Sequence, residues 1–146
     1  MVTYKLPHKE FFAALKEGKL LGLRCNDCGA YTCPPKINCN ECASMNMEVV
    51  ELKGKGEIKT FTVMRIAPEG FESWVPYIVA LVQLEEGPNL VGNIIGVDPD
   101  KVTDDIIGKK IVVGWQPPPP DLRFCGPIGK DGKIQPGGIA MTFSLV

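Results

Sequence analysis

Two pairs of cysteines, each with two residues between its members, constrain this chain more than any other feature of its sequence. Cys25 and Cys28 form the first pair, Cys39 and Cys42 form the second, and ten residues separate the pairs. A two-residue spacing lets both sulfurs of a pair turn toward one metal ion, and two such turns supply a tetrahedron of thiolates. The spacing therefore predicts a structural Zn²⁺ site with no open position for water or substrate.

The residue after each pair is informative about the turn that the pair requires. Gly29 follows the first pair, where the backbone often needs a positive φ, and Ala43 holds the equivalent position after the second pair. Thiolates also bind iron, so a rubredoxin-like iron centre is an alternative that spacing alone leaves open. A disulfide framework among the six cysteines is a second alternative.

The N-terminal sequence and the hydropathy pattern give an expectation for the cellular location of the protein. The first ten residues, MVTYKLPHKE, contain no apolar signal core, and no segment approaches about 18 consecutive apolar residues. We therefore expect a cytoplasmic protein without a membrane span. A reducing compartment favours metal binding over disulfides for paired cysteines.

Outside the cysteine module, short apolar segments alternate with turns and predict a mainly β fold. Residues 8–18 have helical spacing, and the predicted strands cover 47–53, 56–66, 77–84, 90–97, 110–116 and 139–146. Five short antiparallel strands after Gly54 fit an OB-fold barrel. We predict an N-terminal helix and rubredoxin-like zinc ribbon over residues 1–53 and a five-stranded OB-fold over residues 54–146, with a proline- and glycine-rich extension at 117–138.

The strand predicted at 56–66 shows the alternation of a half-buried strand. Strict alternation places Ile58, Thr60 and Thr62 on one face, and Phe61 and Val63 on the other.

No set of residues in the sequence is typical of catalysis. Cys33 and Cys125 lie outside the paired pattern, and a nucleophilic cysteine needs a nearby base. The single histidine, His8, lies at the other end of the chain from Cys125. We interpret both cysteines as free thiols, and an enzyme that uses Cys125 is the alternative.

Many OB-folds bind single-stranded nucleic acid, so this ligand class must also be considered. Phe61 and Trp74 are candidate stacking platforms, and the candidate groove cations are Lys53, Lys55, Lys59 and Arg65. The chain has 16 lysines and arginines against 17 aspartates and glutamates, so it lacks the basic excess typical of such proteins. Nucleic-acid binding is therefore an alternative rather than the leading hypothesis.

The order of these features resembles a family of small acyl-CoA-associated proteins in which a rubredoxin-like zinc ribbon precedes an OB-fold. The resemblance rests on the helix FFAALKEGKLLGLRC, the ribbon CNDCGAYTCPPKINCNEC, the joint ELKGKGEIKTFTV and the barrel segments VPYIVALVQLEEGPNLVGNIIG and IGKKIVVGW. These stretches cover most of the chain and are specific in combination. Residues 117–138 depart from the usual short ending of the family, which leaves their role open.

The resemblance implies a non-catalytic partner that stabilises a thiolase-superfamily subunit and helps to wall the channel for the CoA arm. Arg65, Phe71 and Trp74 are our candidates for the channel edge or for partner contact. Within the family, the chain is most similar to small subunits of thiolases that cleave aromatic β-ketoacyl-CoA esters, such as benzoylsuccinyl-CoA, in anaerobic toluene breakdown. Some members pair instead with acyl-CoA hydratases or retro-aldolases, which is a further alternative.

Overall fold

Within the described residues, the regular structure consists of one short helix, a 3₁₀ turn and eight strands. A computed structural model describes residues 5–67, 72–117 and 140–146. The elements are α1 (His8–Lys16), β1 (Leu20–Cys25), β2 (Tyr31–Thr32), β3 (Met47–Leu52), β4 (Lys55–Met64), β5 (Tyr77–Leu84), β6 (Asn89–Ile95), a 3₁₀ turn (Asp104–Ile106), β7 (Lys110–Gln116) and β8 (Ala140–Leu145). The predicted mainly β fold, with a helix and ribbon before a barrel, is confirmed.

Helix α1 packs through the face that its apolar spacing predicts. Phe11 and Leu15, four residues apart, are both buried. Gly18 adopts a φ of +84° and its backbone N–H donates to the carbonyl of Leu15 at 3.0 Å, which ends the helix shortly before the predicted boundary. No helix in the described ranges is long and apolar enough to cross a membrane.

The N-terminal sheet has three antiparallel strands in the order β2–β1–β3. Strand β1 lies in the centre and pairs with β3 from Leu20, opposite Leu52, to Cys25, opposite Met47. These four side chains are all buried. The sheet thus ends at the first cysteine of the metal-binding pattern, which fixes where that sulfur lies.

The C-terminal sheet is a barrel with the strand order β4–β5–β6–β8–β7, closed by pairing of β7 with β4. Strands β6 and β8 are parallel, whereas the other four pairings are antiparallel. The prediction of five antiparallel strands is wrong at this one junction. Directions can alternate all the way around a closed ring only if the number of strands is even, so five strands require a parallel pair.

Strand β4 contains a register shift between Ile58 and Thr60. After the shift, Phe61 lies opposite Ala80 and Val63 opposite Ile78, and both partners are buried. Phe61 and Val63 therefore pack against the core. The predicted alternation is wrong beyond Ile58, and Phe61 lies half-buried against the core, which leaves less of its ring available to stack with bases.

The two sheets share one hydrophobic core, which includes Leu20 and Met47 of the ribbon together with Ile58 and Ile111 of the barrel. Backbone bonds tie the joint down, because the N–H of Val113 donates to the carbonyl of residue 54 at 2.8 Å. The ribbon is therefore packed on the barrel. The division at residue 53 remains a prediction about sequence modules.

Candidate metal centre

The two cysteine pairs form turns with the same hydrogen bonds. In the first, the N–H of Cys25 donates to the carbonyl of Ala30 at 2.8 Å, and the N–H of Gly29 donates back to the carbonyl of Cys25 at 2.9 Å. In the second, Cys39 and Ser44 share the equivalent bond at 2.8 Å, and the N–H of Ala43 donates to the carbonyl of Cys39 at 3.1 Å. The repeat explains why both pairs present their sulfurs alike.

The positions after the pairs have the backbone conformation that the sequence predicts. Gly29 has a φ of +78°, and Ala43 has a φ of +61°. Ala43 is the one residue other than glycine with a positive φ in the described parts of the chain. An L-residue with a side chain rarely adopts this region, so the second turn stores a small strain that the first one avoids.

The four sulfurs converge to the dimensions of a tetrahedral thiolate site. The Sγ atoms of Cys25, Cys28, Cys39 and Cys42 all lie within 4.8 Å of one another. The sulfurs of Cys25 and Cys42 are 3.5 Å apart, and those of Cys28 and Cys39 are 3.6 Å apart. A tetrahedron with Zn–S bonds of about 2.3 Å has edges of about 3.8 Å. The four cysteines are therefore positioned to bind one metal ion.

The same distances exclude the disulfide alternative for these cysteines. A disulfide requires its sulfurs to be about 2.05 Å apart, and all five cysteines in the described ranges are free. Cys25 and Cys39 are buried, whereas Cys28 and Cys42 are exposed. One edge of the site thus faces solvent, which gives a metal ion a route in and out.

Backbone donors bias the first thiol of each pair toward ionisation. The N–H of Cys28 lowers the pKa of Cys25 to about 7, and the N–H of Cys42 lowers the pKa of Cys39. For Cys28, the N–H of Ala30 lowers the pKa, but hydrogen bonds with the neighbouring thiols and desolvation raise it overall to about 12. A bound metal must therefore displace protons from these thiols. The affinity of the site for metal should decrease as the pH decreases.

Cys33 lies in the ribbon but outside the cluster of four sulfurs. Its thiol is buried and faces the carbonyl of Leu21, with Sγ and O 3.7 Å apart. Burial, assisted by the charge of Glu86, raises the pKa of Cys33 to about 12. The interpretation of Cys33 as a packing thiol fits this environment. Cys125 lies outside the described residues, so its alternative role stays untested.

The other predicted site residues do not form one cluster. Trp74 lines a cavity of about 330 Å³ at one end of the barrel, together with Tyr77, Asn93 and Gln116. The Trp74 and Tyr77 rings meet edge to face with centroids 6.4 Å apart. Arg65 lies outside the cavity lining and donates to Asp100 at 2.7 Å. Phe71 lies outside the described residues.

Two further features were not predicted from the sequence. A second cavity, of about 410 Å³, lies between α1 and the barrel and is lined by side chains that include Phe12, Val91 and Met141. A polar network connects the two cysteine turns through Asp27, Ser44 and Asn46. The sequence signal for the network consists of Asp27, inside the first cysteine pair, and Ser44 and Asn46, shortly after the second pair.

Two family models together match most of the chain. The rubredoxin-like zinc ribbon domain of ChsH2 matches residues 12–48, and the C-terminal OB-fold domain of ChsH2 matches residues 49–116. The zinc ribbon match favours zinc over the iron alternative, and it agrees with the donor set of four thiolates.

Curated relatives are similar over part of their length. A DUF35 domain-containing scaffold protein of Methanocaldococcus jannaschii is 37% identical over 84 residues, which are 57% of this chain and 60% of that protein. A probable enoyl-CoA hydratase alpha subunit of Thermomonospora curvata is 37% identical over 115 residues, which are 78% of this chain and 34% of that protein. The chain thus spans less than two thirds of either relative.

One solved structure is similar to this chain over nearly its full length. It is a chain of the Ltp2–ChsH2(DUF35) aldolase, with a TM-score of 0.65, 30% identity and coverage of 94% of this chain and 93% of that chain. Another is a DUF35 protein of unknown function from Sulfolobus solfataricus, with a TM-score of 0.53, 24% identity and coverage of 72% and 75%. The second likeness supports the fold alone.

Proposed function

This chain belongs to the family of ChsH2-type proteins that join a zinc ribbon to an OB-fold, and from that premise we propose that it is a non-catalytic subunit of a complex that acts on acyl-CoA thioesters. The observation that carries the proposal is the likeness, over 94% of the chain, to a subunit of an aldolase complex. The relatives named as a scaffold protein and as an enoyl-CoA hydratase subunit support the same role and substrate class.

We propose that the chain itself is not the catalytic part of such a complex. Within the described residues, the one cluster of potential metal ligands is the set of four cysteines, which leaves no coordination position for a substrate. The catalytic residues would therefore come from a partner. We propose a thiolase-superfamily partner, whose substrates would include the aromatic β-ketoacyl-CoA esters of anaerobic toluene breakdown. A hydratase or aldolase partner is the second candidate, which the names of two similar proteins favour.

The metal is proposed to be structural and bound by Cys25, Cys28, Cys39 and Cys42, whose sulfurs converge within 4.8 Å. Zinc would crosslink the two turns and fix the ribbon against the barrel. Metal analysis of the purified chain should give one zinc per chain and no visible absorption. A red protein with a thiolate-to-iron charge-transfer band would contradict the assignment.

The cavity beside Trp74 is the proposed edge of the CoA channel. Its lining combines the rings of Trp74 and Tyr77 with the side-chain amides of Asn93 and Gln116. Arg65 would have to exchange its 2.7 Å bond to Asp100 for a phosphate before it could contribute to binding. We therefore expect Trp74→Ala to raise the KM for acyl-CoA in the complex more than Arg65→Ala does.

The uncharged side chains on the outer face of strands β4, β5 and β6 are called here the barrel face. Rows of paired residues define it, such as Thr62 opposite Val79 and Val79 opposite Asn93. Its eleven side chains are Thr60, Thr62, Met64, Tyr77, Val79, Leu81, Gln83, Asn89, Val91, Asn93 and Ile95.

Glu57, opposite Gln83, borders this face and pairs with Lys59 and Lys110 at 3.1 Å each. A nucleic-acid groove needs cations to meet phosphates, and the cations Lys59 and Lys110 at the border of this face are already ion-paired with Glu57. We therefore propose an uncharged protein surface as the partner of the barrel face.

We propose that the catalytic subunit is the occupant of the barrel face. A stable interface uses roughly 20–30 residues on each side, so a two-fold dimer built from this face alone would be too small. Val91, which is 63% exposed, also lines the cavity of about 410 Å³ beside α1. The catalytic subunit would therefore extend beyond the barrel face and over that cavity.

Purification of the tagged chain from its native host tests the proposed function. A thiolase-superfamily chain that co-elutes in near-equal amount, and that cleaves acyl-CoA only as part of the pair, is the expected result. A co-eluting hydratase or aldolase would select the second candidate. A chain that elutes alone at low and moderate salt would contradict the complex, and binding of single-stranded oligonucleotides under those conditions would select the nucleic-acid alternative.

A further inference from the structure

A network of polar side chains joins the two cysteine turns without using any of the four sulfurs. The Ser44 hydroxyl donates to Oδ2 of Asp27, and the side-chain amide of Asn46 donates to Oδ1 of Asp27 at 3.2 Å. Asp27 lies between the cysteines of the first pair, whereas Ser44 and Asn46 follow the second pair. Both oxygens of this carboxylate are therefore occupied by donors from the opposite turn.

The donors are themselves held in place. The backbone N–H of Asn46 donates to Oγ of Ser44 at 3.0 Å, which orients the hydroxyl. The side-chain amide of Asn26 donates to Oδ1 of Asn46 at 3.2 Å, and the backbone N–H of Asn26 donates to the carbonyl of Asn46 at 2.9 Å. Asp27 thus meets two oriented donors rather than two freely rotating side chains.

We infer that Asp27 is a positioning residue that holds the two turns together and slows the release of the metal. The inference rests on the proposed ligand set. Zinc bound by two thiolates from each turn is released when the turns separate, because that movement removes two of its four ligands at once. The bonds of Asp27 to Ser44 and Asn46 cross the gap that this movement opens, so they must break during release.

The charge of Asp27 acts in the opposite direction from its hydrogen bonds. Zinc with four thiolates has a net charge of about −2, so a nearby carboxylate repels the centre. If repulsion dominated, removal of the carboxylate would slow zinc release. Because both oxygens accept hydrogen bonds from the other turn, the inference requires that removal accelerate it instead.

The test measures zinc release from the full-length, zinc-loaded chain into an excess of a chromophoric chelator. Asp27→Ala and Ser44→Ala should each release zinc roughly 10-fold faster or more, in the range typical of groups that support metal ligands. Glu51→Gln is the matched control, because Glu51 is an exposed acid of the same ribbon on β3. It should release zinc at the wild-type rate.

Two further measurements make the result specific. The double variant of Asp27 and Ser44 should accelerate zinc release by less than the product of the two single effects, because both substitutions lose the same Ser44–Asp27 bond. The Co²⁺-loaded Asp27→Ala protein should keep the spectrum of a tetrahedral four-thiolate site. Unchanged or slower release in Asp27→Ala would overturn the inference, and additive effects of the two substitutions would overturn the shared bond. A Co²⁺ spectrum without four thiolates in the wild type would instead overturn the ligand set.

Discussion

At the scale of single residues, the second cysteine turn is the less relaxed of the two. Ala43 has a φ of +61° where the equivalent Gly29 has a φ of +78°. The left-handed conformation costs an L-residue roughly 1–2 kcal/mol, whereas glycine adopts it freely. The ribbon therefore carries a local strain that one substitution removes.

Ala43→Gly should stabilise the zinc-loaded chain by about 0.5–1 kcal/mol, because the relief of strain exceeds the entropy that glycine adds to the unfolded chain. Urea denaturation at fixed free zinc measures the change. Ala13→Gly is the matched control, since Ala13 is exposed within α1, and it should destabilise by about 1 kcal/mol. A destabilised Ala43→Gly protein would contradict the argument.

Cys33 should resist alkylation in the folded chain. Its pKa is raised from 9.0 to about 12, mainly by burial, so at pH 8 its thiolate fraction is on the order of a thousandfold below that of an ordinary cysteine. Mass spectrometry after iodoacetamide treatment should find Cys33 unmodified in the native protein and labelled in urea with chelator. Equal labelling in both states would contradict a buried thiol.

The raised pKa of Cys33 also has a consequence for stability. Because the folded pKa lies above the unfolded value of 9.0, the contribution of the neutral thiol is fully present below pH 9 and is lost as the pH rises toward 12. Cys33→Ala should therefore show a weaker decline in the free energy of unfolding between about pH 9 and 11. An identical decline in both proteins would contradict the assignment to Cys33.

Residues close in sequence were predictable, and residues brought together by folding were not. The metal cluster could be predicted because a two-residue spacing is local and carries its own geometry. The partners of Asp27 lie 17 and 19 residues away, and they become neighbours only after both turns close. The pairing of Arg65 with Asp100, 35 residues apart, was equally invisible in the sequence.

At the scale of elements, composition predicted where strands lie but not how each is paired. The predicted strands 77–84 and 110–116 match β5 and β7. Strand β2, with only two residues, was not predicted, because two residues give no periodic pattern. The register shift in β4 leaves no compositional sign either, yet it changes which face each later side chain joins.

The barrel face gives a prediction at this scale. Val91→Lys places a charge on the exposed β6 side of the barrel face, among uncharged side chains, so it should weaken binding of the co-purified catalytic subunit by roughly 30-fold or more. Because Val91 is 63% exposed, the melting temperature of the isolated chain should change little. Ile107→Lys is the matched control, since Ile107 is 45% exposed in the connection before β7, outside the barrel face.

The outcomes of this binding measurement separate two questions. Normal binding by both lysine variants would reject the barrel face as the interface but leave the complex intact. Loss of binding in the Ile107 variant as well would indicate a general effect of charge. Sedimentation of the isolated wild-type chain identifies self-association, and a dimer abolished by Val91→Lys would show that a second copy occupies the face.

At the scale of the whole molecule, the ribbon and the barrel are held together by more than the chain connection. The N–H of Lys53 donates to Oε1 of Glu86 at 2.9 Å, and the N–H of Val113 donates to the carbonyl of residue 54 at 2.8 Å. Buried side chains of both sheets belong to one core. Loss of the metal from the ribbon should therefore also lower the stability of the barrel.

Chelation of zinc should lower the melting temperature of the whole chain by roughly 10 °C or more, in one cooperative transition, because metal binding contributes folding free energy. The two tryptophans, Trp74 and Trp115, both follow the ribbon in sequence, so their fluorescence reports on the barrel. Readdition of zinc should restore the original transition. A tryptophan transition that stays at the same temperature after zinc removal would mean that the barrel is stable without the ribbon, and the shared core would then contribute little to coupling the two.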